Sequence, residues 1–255
     1  MSGDVGVVVP AYRPDVDTLL SYLDALRETV HPATIRVELD APGAGVAEAL
    51  RESGATVHVA DGRRGKGAAI TNGFEALETD VLAFADADGS TEAASVADVV
   101  AAIHDGADVA VGSRRHPDAE VTAHQSLLRR RFGDSFAKLA RAALGVDVHD
   151  FQCGAKALTR AAWQGVRGHV FESGFAWDFE VLAIADALGY DVREVPVQWT
   201  DHPDSTVPPI RTSLSFLRAL GVVRHRAEAL RGSGLHRATT ADRTPLVEDD
   251  AIGDE

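Results

Sequence analysis

The sequence predicts an α/β fold, with a mostly parallel central sheet covered by helices on both faces. Three observations predict it. Short apolar runs recur through the first half, segments with helical apolar spacing separate them, and no repeat or linker divides the chain. At 255 residues the chain can bury a full core as one domain.

Val5–Val9 is the first expected strand. Asp17–Glu28 follows as a helix with Leu19, Leu20, Leu23 and Leu26 on one face. Ile35–Leu39, Thr56–Ala60, Val81–Ala85 and Val109–Val111 read as further strands, with helices over Ala68–Leu77 and Ser95–His104. The second half is less regular. Residues 127–144 have helical spacing through Leu128, Phe132, Phe136, Leu139 and Ala143, and lead to a short run at Ala155–Leu158. Phe179–Leu188 reads as a helix stopped by Gly189. Val192–Val197 is a strand closed by Trp199-Thr200. Pro203, Pro208 and Pro209 mark a loop before a last helix striped by Leu214, Leu217, Leu220 and Val223. From Gly232 the chain is polar and ends acidic, so residues 1–231 are expected as the domain and 232–255 as a disordered tail.

The formal net charge of −14, from 39 acidic and 25 basic residues, excludes nucleic acid as an expected partner. The single Cys153 allows no intrachain disulfide and argues against structural zinc. Asp4 interrupts the first apolar run, so no signal pattern is visible, and no run approaches the ~20 residues of a membrane span. A cytoplasmic protein, not integral to a membrane, is expected. Basic residues are nearly all Arg, with Lys66, Lys138 and Lys156 the only lysines. Excess acid with few lysines resembles proteins of a salt-loaded, halophilic cytoplasm, although a GC-rich genome also exchanges Lys for Arg. Against this acidic background, residues 127–144 and 211–231 each carry five basic residues and one acid. Basic amphipathic helices suit an anionic surface or a phosphate ligand; the plainer reading is two surface helices paired with nearby acids.

The richest chemistry lies in Val81-Leu82-Ala83-Phe84-Ala85-Asp86-Ala87-Asp88-Gly89-Ser90. An apolar strand runs into two acids spaced by one, at the carboxyl edge where open α/β sheets bind ligands. Neighbouring carboxylates repel unless a cation lies between them. Hard oxygen donors that share coordination with water and phosphate suit Mg²⁺ or Mn²⁺. The alternative is an acidic turn capping the helix that begins near Thr91. Gly62-Arg63-Arg64-Gly65-Lys66-Gly67 is a basic glycine loop opening a helix, fit to hold phosphate. It is not a P-loop, because Gly67 follows Lys66 and Ala stands at position 60.

The order of motifs resembles glycosyltransferase family 2. It opens on Val7-Val8-Val9-Pro10-Ala11-Tyr12, followed by Arg64 to Ile70, Asp86-Ala87-Asp88-Gly89-Ser90 and Gly112-Ser113-Arg114. Asp150-Phe151-Gln152-Cys153-Gly154-Ala155-Lys156, Phe175-Ala176-Trp177-Asp178-Phe179-Glu180 and Glu194 to Trp199 complete it. The set looks like the polyprenyl- and dolichyl-phosphate glucose and mannose synthases, and the Asp-x-Gln-Cys-Gly segment leans to the glucosyl branch. The resemblance spans about residues 4–225.

That likeness implies a GT-A fold and an inverting, metal-dependent hexose transfer from a nucleotide sugar, UDP-glucose favoured, to a polyprenyl or dolichyl phosphate. Carried over by position, Pro10, Ala11 and Tyr12 line the nucleotide pocket, Asp40 contacts the base and Lys66 sits beside it. Asp86, Ala87 and Asp88 meet the donor, with Asp86, Asp88 and Ser90 at the metal. Arg114 and Arg131 hold the acceptor phosphate. Asp178, with Asp150 as rival, is the acceptor-side acid, a general base if the acceptor were a sugar hydroxyl. Either acid could instead be structural. The chain departs from the pattern at Arg13-Pro14, where relatives have Asn-Glu, and at Leu39-Asp40-Ala41-Pro42, where relatives have paired acids. Thr206 stands where relatives often have a cation, and Arg211 is the candidate replacement at the diphosphate. A sugar nucleotidyltransferase and a non-catalytic sugar-nucleotide-binding partner of a membrane transferase stay open as alternatives.

Overall fold

The computed structural model describes residues 3–122, 137–200, 209–232 and 244–247, without the side chains of 209–215. In chain order the elements are β1 (Val5–Tyr12), α1 (Val16–Val30), β2 (Thr34–Asp40), α2 (Val46–Glu52), β3 (Thr56–Ala60), α3 (Lys66–Glu75), β4 (Val81–Ala85) and α4 (Ala93–His104). Then come β5 (Val109–Ser113), β6 (Glu120–Thr122), a helix over 137–144 (α5), β7 (Ala155–Thr159), α6 (Arg160–Val166), α7 (Trp177–Ala187), β8 (Val192–Pro196), β9 (Gln198–Thr200) and α8 (Pro209–Leu230).

The main sheet is ordered β3-β2-β1-β4-β7-β5-β8. Its neighbours are parallel except β7, which runs antiparallel to both β4 and β5. The mostly parallel α/β fold expected from the sequence is therefore present, with one reversed strand in its interior. β6 and β9 form a small parallel pair beside it.

β4 shows why the sheet is buried on both sides. Val81, Ala83 and Ala85 pack into one core with Leu19, Leu23 and Leu26 of α1 and Val96 and Val99 of α4. Leu82 and Phe84 face the other core, with Phe74 of α3, Trp163 of α6, and Trp177 and Phe179 of α7. An unbroken apolar run is what period-2 alternation between two cores demands. On the second side the aromatic rings meet edge to face, Phe74 on Trp163 at 5.2 Å and Phe84 on Trp177 at 5.6 Å between centroids.

β1 runs three residues beyond the expected strand. Its pairing with β4 ends at Val8, whereas its pairing with β2 continues through Pro10 to Tyr12. Proline fits there because the ladder on one side has already stopped. Two amphipathic stripes match expectation only in part. In α5 the buried residues are Ala137, Ala140 and Leu144, whereas Leu139 is 46% exposed. In α8 Leu220 and Val223 are buried with Ala219 and Ala227, whereas Leu217 is 46% exposed. Small alanines occupy the close-packed side, and these two leucines face outward. Leu128, Phe132 and Phe136 lie outside the described residues.

Within the segment expected as a tail, residues 244–247 rest on the core. The Leu246 amide donates to the Val170 carbonyl at 2.8 Å, and Leu246 and Val247 pack on the second core.

Candidate active site

The carboxyl ends of β1, β2 and β4 and the start of α3 come together at one edge of the sheet. Asp40 closes β2 opposite Tyr12. Its carboxylate is buried and accepts from the Arg64 amide (2.8 Å), the Gly65 amide (3.2 Å) and Arg64 Nε (2.8 Å). Arg64 Nη1 also reaches the fully buried Glu38 at 2.8 Å, a carboxylate shared with Arg36 and His58. Asp40 thus fixes the glycine loop that begins α3. Two glycines in that loop are required by close approach. A Cβ on Gly65, at φ +102°, would lie 2.5 Å from the Ser173 carbonyl oxygen, and one on Gly67 would lie 2.5 Å from the Glu172 oxygen. The loop is pressed onto segment 172–174, where the Ala68 amide donates to Ser173.

Tyr12 is 38% exposed at the rim. The Arg63 guanidinium stacks on its ring at 4.3 Å, and Arg13, at φ +49°, turns back over the same ring at 5.3 Å. Ala11 is buried and Pro10 partly so.

Asp86 follows β4 directly. Its amide donates to the Gly154 carbonyl (2.9 Å), and a Cβ on Gly154 would meet the Asp86 carboxylate at 2.3 Å, so only glycine lets that side chain sit there. Lys66 Nζ lies 2.9 Å from Asp86 Oδ1. Burial raises the Asp86 pKa, Lys66 opposes this, and Asp88 and Asp178 add to the rise. Asp88 is exposed and uses Oδ1 to accept from the Ser90 amide at 2.9 Å; among the described residues it has no cationic partner. Ala87 between them is partly exposed, and Ser90 is buried. Asp86, whose single ammonium is shared with Asp178, and Asp88, with none among the described residues, are a fitting pair of oxygen donors for a divalent ion. The described residues hold no group of three His, Cys, Asp or Glu able to bind a metal.

The acids expected on the acceptor side, Asp178 and Asp150, are different. Asp178 lies in the first turn of α7 and is buried. One oxygen takes Lys156 Nζ at 2.6 Å, the other Lys66 Nζ at 3.0 Å. Burial works to raise its pKa, but the two ammonium groups, Lys156 first, outweigh that and lower it. Asp150 is also buried. It receives a bidentate fork from Arg114 (Nε 2.6 Å, Nη2 2.8 Å), the Arg114 amide at 3.1 Å, and Arg115 Nη1 at 3.1 Å. Its pKa is held well below the usual carboxylate range, because Arg114 overcomes the effect of burial. Asp150 thus fixes the position of Arg114, whose guanidinium lies 5.4 Å from the Trp199 ring. Arg131 and the side chain of Arg211 lie outside the described residues.

Lys156, Arg115 and Glu38 join this site with no role expected from the sequence. A signal existed for Lys156, one of only three lysines and flanked by apolar residues in Ala155-Lys156-Ala157-Leu158. Behind the site, Glu180 is fully buried and accepts from the Phe171 and Glu172 amides (2.9 and 2.7 Å) and from Arg226 of α8 (2.5 Å). It braces the segment on which the glycine loop rests. Burial pushes its carboxyl up to about 7 despite those donors.

A comparison with known proteins decides the family. The family model described as Glycosyl transferase family 2 matches residues 7–165. The chain belongs to this family. It is 32% identical over 224 residues to glycosyltransferase AglD of Haloferax volcanii, covering 84% of this chain and 36% of that one. It is 28% identical over 241 residues to a dolichyl-phosphate beta-glucosyltransferase of Drosophila melanogaster, covering 86% and 74%. The chain spans about a third to a half of the length of the first curated relatives it matches. Among solved structures, glucosyl-3-phosphoglycerate synthase from Mycobacterium tuberculosis, in complex with Mn²⁺, UDP and phosphoglyceric acid, superposes with a TM-score of 0.65 at 18% identity, over 90% of this chain and 79% of that one. The fold is thus the GT-A-like architecture that the family 2 resemblance implied.

Proposed function

We propose that this glycosyltransferase family 2 chain transfers a hexose, with inversion, from a nucleotide diphosphate sugar to a polyprenyl or dolichyl phosphate, with UDP-glucose the favoured donor. The observation that carries the acceptor class is the state of Asp150 and Asp178. Both are buried, both are gripped by two cations, and both have lowered pKa values, so neither is suited to take a proton near neutral pH. A sugar-hydroxyl acceptor needs a base. A phosphate monoester, with a second pKa near ~6, arrives largely ionised and needs only to be positioned.

On the donor side, Tyr12 and the Asp40-anchored loop form the nucleotide end, and Lys66 faces the diphosphate. Asp86 and Asp88 would hold Mg²⁺ or Mn²⁺, and the ion would supply charge neutralisation at the departing diphosphate. Ser90 orients Asp88 through its amide. Arg114 meets the acceptor phosphate by sharing its charge with Asp150, and Arg131 is the second cation proposed there. The relatives support this reading by name: dolichyl-phosphate beta-glucosyltransferases and a polyprenol monophosphomannose synthase.

No helix among the described residues is long and apolar enough to cross a membrane. Peripheral attachment at the cytoplasmic face is proposed instead, through the outward leucines. Leu139 lies beside Lys138 and Arg141 on α5, and Leu217 beside Arg218 on α8, which suits an anionic lipid interface. The test is incubation with labelled UDP-glucose or GDP-mannose, dolichyl phosphate in vesicles, and Mn²⁺. A labelled lipid that forms only when the lipid carries its phosphate supports the proposal. Transfer to a free sugar alcohol but not to the lipid phosphate overturns it.

A further inference from the structure

Lys156 is the second residue of β7, opposite Phe84 of β4 and Val111 of β5. Its side chain is completely buried. The ammonium donates to the Cys153 carbonyl at 2.9 Å and to Asp178 Oδ1 at 2.6 Å, 5.3 Å from the Phe84 ring centroid. From there a row of alternating charge runs outward. Asp178 Oδ2 takes Lys66 Nζ at 3.0 Å, and Lys66 Nζ lies 2.9 Å from Asp86 Oδ1. The row begins inside the sheet and ends at the carboxylate assigned to the donor.

Two carboxylates compete for Lys66, and Lys156 biases the competition. At 2.6 Å it offsets most of the Asp178 charge. If it were absent, Asp178 would have Lys66 as its only ammonium partner in the row and would draw that ammonium inward, away from Asp86.

We propose that Lys156 is a positioning residue: by neutralising Asp178 it keeps the Lys66 ammonium on the Asp86 side, where the donor diphosphate leaves. It touches no reacting atom. The inference rests on the sugar-transfer reading for its catalytic consequence, but the placement of Lys66 can be read without turnover. Charge on the diphosphate grows towards the transition state, so a misplaced Lys66 acts on kcat more than on donor KM.

The chain has only three lysines, so selective ¹³Cε/¹⁵Nζ lysine labelling gives an NMR spectrum with three side-chain signals. In Lys156→Met the Lys66 signal is expected to shift, and kcat to fall about 30-fold with donor KM within about threefold of wild type. In Lys156→Met/Asp178→Asn the charge that captures Lys66 is gone. The Lys66 signal should return towards its wild-type position, and kcat should recover at least about tenfold over the single variant. Loss of packing alone would not be repaired by a second substitution in the same pocket. Lys156→Gln, which retains a donor for Cys153, carries the same expectation if the Met variant does not fold. An unmoved Lys66 signal in a folded Lys156 variant overturns the inference, as does a double variant no better than the single. Wild-type protein that transfers no sugar to any acceptor would overturn the proposed function, and the NMR comparison would still decide the row.

Discussion

The two pairs of aspartates at this site face opposite electrostatic problems. Asp86 and Asp88 stand at the rim and repel each other; Asp86 has one ammonium, Lys66, which it shares with Asp178, and Asp88 has no cationic partner among the described residues. Asp150 and Asp178 lie inside and have two cations each. Four residues of one type are thus divided by their surroundings into a pair that awaits charge from outside and a pair already neutralised by the protein. Carboxylates of the first kind bind; those of the second kind hold other groups in place. The contrast predicts that substitutions at the rim remove activity and spare stability, whereas substitutions inside cost stability.

The sharpest challenge to that division is Asp88→Asn. Asn still accepts from the Ser90 amide, and the position is exposed. Turnover should fall 10³-fold or more, by analogy with the loss of several kcal/mol of charge stabilisation at about 1.4 kcal/mol per tenfold, while the melting temperature stays within about 2 °C. Retained turnover in the presence of Mn²⁺ would remove Asp88 from the donor site.

Asp150→Ala examines the other half. It strands Arg114, whose guanidinium and amide both lean on this carboxylate. Removing one partner of a buried pair costs about 3–5 kcal/mol. Denaturant unfolding should show that loss, and Asp150→Asn a smaller one because an acceptor remains. If Asp150→Ala were as stable as wild type, the inner pair would not be the scaffold described.

How much of this was legible in the sequence follows the range of the interactions. β1, β4 and the acidic turn after β4 are local patterns, and they stand where the apolar runs place them. α2 and α6 were missed because seven residues provide too few turns for a periodicity to emerge. The reversal of β7 was invisible, since an apolar run carries no sign of its direction. In α8 Leu220 and Val223 lie inward as their spacing predicts, but close helix packing in α5 and α8 selects Ala137, Ala140 and Ala227 and leaves Leu139 and Leu217 outside, a choice that apolar spacing alone does not show. The charge row could not be read at all. Lys66, Asp86, Lys156 and Asp178 are spread over more than a hundred residues, and only the fold brings them together.

Glu180 extends the contrast to pH. Its folded pKa, about 7, lies above the ordinary 4.5 because burial disfavours the charge. The protonated folded form is therefore favoured at low pH. This contribution to stability is fully present below about 4.5 and is lost as pH rises through about 7. The shift corresponds to about 3 kcal/mol in total. Unfolding free energies measured between pH 4.5 and 7.5 should show wild type losing stability relative to Glu180→Gln as pH rises. A pH-independent difference would mean that Arg226 and the two amides fully compensate the buried charge.

The smallest expected effect lies outside both aspartate pairs. If Leu139 and Leu217 face outward because they enter a lipid interface, Leu139→Glu/Leu217→Glu should weaken binding to vesicles rich in anionic lipid roughly tenfold, with turnover on a short soluble polyprenyl phosphate unchanged. Wild-type binding should also fall on raising salt from 0.05 to about 0.5 M, because lysine and arginine at the helix surfaces act through screened charge. Since the protein as a whole is strongly acidic, attraction to an anionic bilayer requires one face to dominate the encounter. A double variant that still binds vesicles at full strength would place the membrane contact elsewhere, and the exposed leucines would then be incidental to the site rather than the means by which its lipid-phosphate end reaches the acceptor.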